Sequence, residues 1–195
     1  MQMKKQVFMI HSVRFIALLD TNVIYPIISR DLLFWFAYYD LYTPKWSNNI
    51  FDEWRVVMIR KGVSESDATK RVNKANLAFP NACVKNYENL IQNLLLPDEN
   101  DRHVLAAAIK TKANIIVTNN LKDFPPRYLD SFGLKAKSLD DFFTDIIDLN
   151  QEKAIEAFNE MVLNKKHPPL DAFEVLDQFR KINLNDTANY LHALL

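Results

Sequence analysis

The chain has 195 residues, with 24 basic and 24 acidic side chains, 49% hydrophobic residues and 12% aromatic residues. This length predicts one domain, or one domain with an appendage, and the composition excludes a disordered chain. Gly62 and Gly133 are the two glycines, which excludes a G-x-G-x-x-G dinucleotide loop and a G-x-x-x-x-G-K-[ST] phosphate loop. Cys83 stands alone, so there is neither an intramolecular disulfide nor a thiolate zinc site. His11, His103, His167 and His192 form no closely spaced pair, and each reads as a surface or packed histidine. Any metal must therefore take oxygen ligands, which favours magnesium or manganese over zinc.

In chain order, residues 15–19 form a short apolar run ending at Asp20, the pattern of a buried parallel strand. Residues 24–39 have helical length and are apolar nearly all round, with Pro26 compatible with a first turn. Residues 41–46 predict a second strand. Ser47 then caps a helix to about Lys61, stopped by Gly62, and Ser64 caps another that ends before Pro80. Residues 82–84 are a weak strand and 87–95 a short amphipathic segment. Residues 98–112 predict an alanine-rich helix, 114–118 a strand, 136–138 an edge strand and 139–149 a helix. Such alternation predicts an α/β domain with a parallel sheet. From Gln151 the pattern is helical only, over 151–163, 170–182 and 186–194, with a linker at Lys165-Lys166-His167-Pro168-Pro169.

The apolar run at residues 7–10 is too short for a signal segment, and the longest apolar stretch, 32–39, is too short to span a bilayer. The expectation is a cytoplasmic protein without a membrane partner, whose first residues are a loose leader. Basic residues are in excess between Arg55 and Lys74, where Arg55, Arg60, Lys61, Lys70, Arg71 and Lys74 face Glu65 and Asp67. This stretch is either a phosphate-binding face or a solvated helical face.

Ligand sites of parallel α/β sheets lie outside the carboxyl ends of the strands. Asp20 falls at one such end and Asp123 just past another. Asp20 taken singly reads equally as a helix cap or as a catalytic acid. Asp98 and Asp101 lie three apart at the start of an apolar helix, so both can face one side. Favourable interaction with the helix N-terminus is the competing account, particularly for Asp98. Glu53 reads as a site acid or a surface acid. Carboxylates converging on one place repel one another unless a cation intervenes. A hard divalent ion there can polarise a phosphoryl oxygen and lower the pKa of an attacking water. The pattern therefore points to metal-assisted phosphodiester hydrolysis.

Leu18-Leu19-Asp20-Thr21-Asn22 resembles the opening motif of PIN domains. Asp101-Arg102-His103-Val104-Leu105-Ala106-Ala107-Ala108 resembles their third acidic motif, and Ile116-Val117-Thr118-Asn119-Asn120, with Asp123-Phe124 following, their fourth. Glu53 fits the second acid, and the four fall in order over about residues 14–145. The resemblance implies a three-layer α/β/α sandwich with a central parallel sheet and an acidic pocket for Mg2+ or Mn2+. It also implies single-strand-preferring ribonuclease activity, typically as a VapC-like toxin neutralised by an antitoxin protein. Carried over, Asp20, Glu53 and Asp101 are the main metal-site acids, and Asp98 is an extra ligand or a supporting group. Asn120 stands where many members have an acid, so either Asp123 supplies that charge or the site has three acids. Thr21, Asn22 and Thr118 orient loops or acids.

The domain reading is a leader over 1–13, a PIN-like nuclease domain over 14–149 and a C-terminal helical extension over 150–195. The extension either enlarges the core or offers a surface to an antitoxin or a second copy, with Phe158, Phe173, Val175, Leu176 and Phe179 as anchors. A metal-dependent phosphomonoesterase is one rival, although that chemistry usually needs a second acid where Asn22 stands. A non-catalytic RNA-binding PIN domain is the other, suggested by Asn120.

Overall fold

The computed structural model describes residues 15–166 and 168–195, so the predicted leader over 1–13 and His167 lie outside the described residues. Five parallel strands form the sheet: β1 (Ile16–Leu19), β2 (Thr43–Ser47), β3 (Cys83–Val84), β4 (Ile115–Val117) and β5 (Lys135–Lys137). Their spatial order is β3-β2-β1-β4-β5. The middle strand β1 is continuous apolar sequence because it is covered on both faces, and Ala17, Leu18 and Leu19 have no exposed surface. The chain leaves β1 toward β2 and β3, then returns across the sheet to β4. This reversal makes β1/β4 the switch point of the topology, where a crevice opens beyond the strand ends.

The expected helix over 24–39 is two helices, α1 (Thr21–Ile24) and α2 (Ile27–Tyr38). Pro26 is extended at ψ 130° and has no N–H to continue α1, so the helix restarts after it. α3 (Asn48–Arg60) and α4 (Glu65–Ala78) begin at the Ser47 and Ser64 caps predicted from sequence. Gly62, with φ +88°, takes the left-handed conformation that ends α3. The segment after β3 contains only α5 (Glu88–Ile91). The alanine-rich stretch begins as a 3-10 turn, Glu99–Asp101, and continues as α6 (Arg102–Lys110). Val104 to Ala108 are fully buried, and the three alanines let α6 lie close against β1, β2 and β4. The right-handed crossover rule places α2 and α4 on one face of the sheet and the return crossover through α6 on the other. A short α7 (Pro126–Asp130) joins β4 to β5.

α8 (Leu139–Leu149), α9 (Gln151–Leu163), α10 (Ala172–Lys181) and α11 (Asn185–Leu194) complete the chain. α9 packs on α2, and α8 packs on both α9 and α11. Phe158, Val175, Leu176 and Phe179 are fully buried, whereas Phe173 is 57% exposed with its ring against His192. Asp140 of α8 accepts hydrogen bonds from Asp186 N, Thr187 N and Thr187 Oγ1, fastening the start of α11. Among the described residues no helix is long and apolar enough to cross a membrane.

Candidate active site

The ends of β1 and β4 are tied together by side chains. Asp20 is 5% exposed and caps α1, its Oδ1 accepting from Thr21 N at 2.6 Å. Its Oδ2 accepts from Thr118 Oγ1 at 2.7 Å and from Asn22 Nδ2 at 2.5 Å. Thr118, fully buried just past β4, in turn accepts from Asn22 Nδ2 and from Asn120 N. Asn22 Oδ1 accepts from Asn119 N, and Asn119 Oδ1 accepts from Leu139 N, so the loop after β4 is held at both sides. Burial raises the pKa of the Asp20 carboxyl, against the lowering effect of the Thr118 and Thr21 hydrogen bonds, and the net shift is upward. Asp20 is thus a helix cap, the first of the two sequence readings, and it lies close enough to Asp101 to raise that carboxyl's pKa.

Asp98, Asp101 and Asp123 each bring a carboxylate oxygen within 4.8 Å of the others. Asp101 stands at the entry to α6, Asp98 precedes the 3-10 turn and caps it through Asn100 N, and Asp123 closes the turn Leu121–Asp123 after β4. Burial and repulsion from Asp20, Asp98 and Asp123 push the Asp101 carboxyl up to about 6. Asn120 Nδ2 donates to Asp101 Oδ2 at 3.2 Å, so Asn120 supports this acid. The donor set is three carboxylates under mutual repulsion, which fits a hard divalent cation.

Glu53 of α3 lies at the edge of this group and raises the pKa of Asp20. Its Oε1 is 2.8 Å from His103 Nε2, and its Oε2 is 2.5 Å from Thr21 Oγ1. Burial acts to raise the Glu53 pKa, but the hydrogen bonds from His103 and Thr21 outweigh it and hold the carboxyl below its ordinary value. The sequence predicts His103 to be a packed or surface histidine. It is buried in the α6 wall as expected, and it also serves as a partner to a site acid. Its Nδ1 is buried without a hydrogen-bond partner among the described residues. Fifty residues separate His103 from Glu53, and no local spacing signals the pair.

The basic stretch divides in two. Arg55 pairs with Glu65 at 3.2 Å and Asp52 at 3.7 Å, and Lys70 pairs with Asp67 at 3.2 Å. Arg60, Lys61 and Arg71 form no ion pair among the described residues.

Comparison with known proteins agrees with this geometry. A family model described as "VapC50 C-terminal domain" matches residues 139–193, which hold α8 to α11. A curated relative from Mycobacterium tuberculosis (strain ATCC 25618 / H37Rv), named "Putative ribonuclease VapC50", is 43% identical over 77 residues. That match covers 40% of this chain and 46% of the relative, so it spans about half of the relative's length. No solved structure matches. The model described as "PIN domain" matches residues 16–122, more than half of the chain, from β1 through the loop that follows β4. With the acids gathered at the β1/β4 switch point, this chain belongs to the PIN domain family.

Proposed function

We propose that this protein is a divalent-metal-dependent endoribonuclease that cleaves single-stranded RNA, the toxin of a toxin–antitoxin pair. The observation that carries this reading is the gathering of Asp98, Asp101 and Asp123 within 4.8 Å at the crevice beyond β1 and β4, with Asp20 and Glu53 beside them. Asp101 and Asp123, with Asp98, would hold Mg2+ or Mn2+, and Asp20 and Glu53 complete the acidic wall. What supports Asp123 as the fourth acid is its place in the triplet, while Asn120 donates to Asp101. When bound, the cation supplies charge stabilisation at a phosphoryl oxygen and lowers the pKa of a neighbouring water.

The protein's own groups set the geometry. Thr118 and Asn22 lock the Asp20 carboxylate to the end of β4, so the acids from two strands keep a fixed spacing. Thr21 and His103 fix the two oxygens of Glu53 in the same way. Asp101, with its pKa near 6, binds a proton or a cation in competition, so cation loading strengthens as pH rises through that value. Of the basic residues singled out in the sequence, Arg60, Lys61 and Arg71 are available to RNA phosphates, whereas Arg55 and Lys70 already face carboxylates. The toxin assignment rests on the VapC-like resemblance of the motifs, supported by the two family matches and the VapC50 relative, and it brings an antitoxin protein as partner. A second copy of the chain is a further candidate partner. A cytoplasmic location goes with this reading.

Cleavage of a single-stranded RNA by the wild type, Asp20→Asn and Asp101→Asn tests the reading. The account expects Mg2+-dependent cleavage that drops by roughly a hundredfold or more in either variant, the scale of losing one charge-stabilising group. Cleavage indifferent to both substitutions overturns it. Turnover of a small aryl phosphate in place of RNA would favour the phosphomonoesterase.

A further inference from the structure

A cleft of about 500 Å³ lies where the α1–α2 junction, the C-terminal end of α3 and α10 meet. Arg30, Lys61 and Arg71 line it with Tyr25, Met58 and Gln178, and no carboxylate among the described residues lines it. Arg30 sits over the Trp54 ring, 5.1 Å from its centroid, and has its carboxylate neighbour Asp31 at 3.7 Å. Asp31 is itself engaged by Lys165, so Arg30 shares that charge. Lys61 and Arg71 are exposed and form no ion pair among the described residues. A cation at the end of α3 is favoured by the helix dipole, which accounts for Lys61 alone. It does not account for Arg71 from α4 or Arg30 from α2, which come to the same cleft from separate elements. Arg30 and Arg71 are close enough to repel one another, Arg30 shares Asp31 with Lys165, and an anion in the cleft relieves the remaining repulsion.

Two helices link the cleft to the acidic site. Tyr25 ends the helix that Asp20 begins, five residues away, about 7.5 Å along the axis at 1.5 Å per residue. Lys61 is eight residues along α3 from Glu53, or about 12 Å. Tyr25 offers a half-buried ring against which a base can stack.

We propose that this cleft is a backbone-phosphate subsite for single-stranded RNA, formed by Arg30, Lys61 and Arg71 and walled by Gln178 of the C-terminal extension. It rests on the ribonuclease reading and adds where the strand leaves the acidic site. RNA is favoured over an acidic protein segment because α1 and α3 each carry an acid of the candidate site at or near their start and a residue of the cleft at their end.

The test is fluorescence anisotropy of a short labelled single-stranded RNA in EDTA, measured across a salt series. In the double variant Lys61→Gln/Arg71→Gln, the slope of log affinity against log salt falls by about 1.4, at about 0.7 per phosphate contact. This is an affinity loss of about 25-fold at about 0.1 M salt. Arg55→Gln and Lys70→Gln keep the wild-type slope. An unchanged slope in the double variant, with its melting temperature intact, overturns the proposal. So does loss of polyglutamate binding with RNA binding unaffected, which assigns the cleft to an acidic protein segment. Wild-type protein that binds RNA with the full slope but never cleaves it in Mg2+ defeats the ribonuclease reading and leaves the subsite standing. Cleavage together with an unaltered slope in the double variant does the reverse.

Discussion

Replacing Asp101 by asparagine should make the cation-free protein more stable while disabling it. Asp101 is pushed from 3.8 up to about 6 by burial and by its neighbours Asp20, Asp98 and Asp123. A full shift of about two units corresponds to about 3 kcal/mol at about 1.4 kcal/mol per unit. Asp101 is only partly buried, and solvent screening reduces that to about 1–2 kcal/mol. The sign follows from proton binding. Between pH 3.8 and about 6 the folded state holds more protons at Asp101 than the unfolded state, so stability falls as pH rises through that window. Above it the ionised carboxylate costs its full share, which asparagine removes, and the asparagine Oδ1 can still accept from Asn120 Nδ2. Thermal unfolding in EDTA at about pH 7.5 should therefore show the variant melting about 2–8 °C higher, at about 2–4 °C per kcal/mol for a chain of this size. Near pH 3.5 the gain should vanish, and at neutral pH Mn2+ should raise the melting temperature of the wild type far more than that of the variant. An asparagine variant that melts lower in EDTA at neutral pH, or that gains equally at both pH values, refutes this electrostatic account of the site.

Thr118→Val removes the hydroxyl that holds Asp20 Oδ2 and accepts from Asn22 and Asn120, so Mn2+ affinity measured by calorimetry should fall roughly 10–100-fold. His103→Ala frees Glu53 Oε1 and should reduce RNA cleavage by roughly 10–100-fold, with partial rescue in His103→Gln, whose amide can still donate. Asp140→Ala strips three hydrogen bonds from the start of α11 and should lower stability in urea unfolding by about 1–2 kcal/mol, leaving cation affinity unchanged.

The parts of the fold legible in the sequence are those with strong local patterns. β1 and β4 stand out as apolar runs because both faces are covered, and α6 because its alanines pack directly on the sheet. Asp20 and Asp123 were visible because strand ends in a parallel sheet point at the same crevice. The break at Pro26 was less visible, since proline suits both the first turn of a helix and its boundary. α7 is too short to carry a period. The pairing of Glu53 with His103, and the meeting of Arg30, Lys61 and Arg71, depend on tertiary packing between elements distant in the chain. The same holds for the basic stretch, where spacing cannot tell Arg55, already paired with Glu65, from Lys61.

The central claim is that the acids at the β1/β4 crevice act through a divalent cation on RNA. The most direct measurement follows cleavage of one single-stranded RNA by one preparation in Mg2+, after chelation by EDTA, and after excess Mn2+ is restored. The account predicts cleavage, then arrest, then recovery, with cleavage in either metal reduced roughly a hundredfold or more in Asp101→Asn. Cleavage that continues unchanged in EDTA would contradict it.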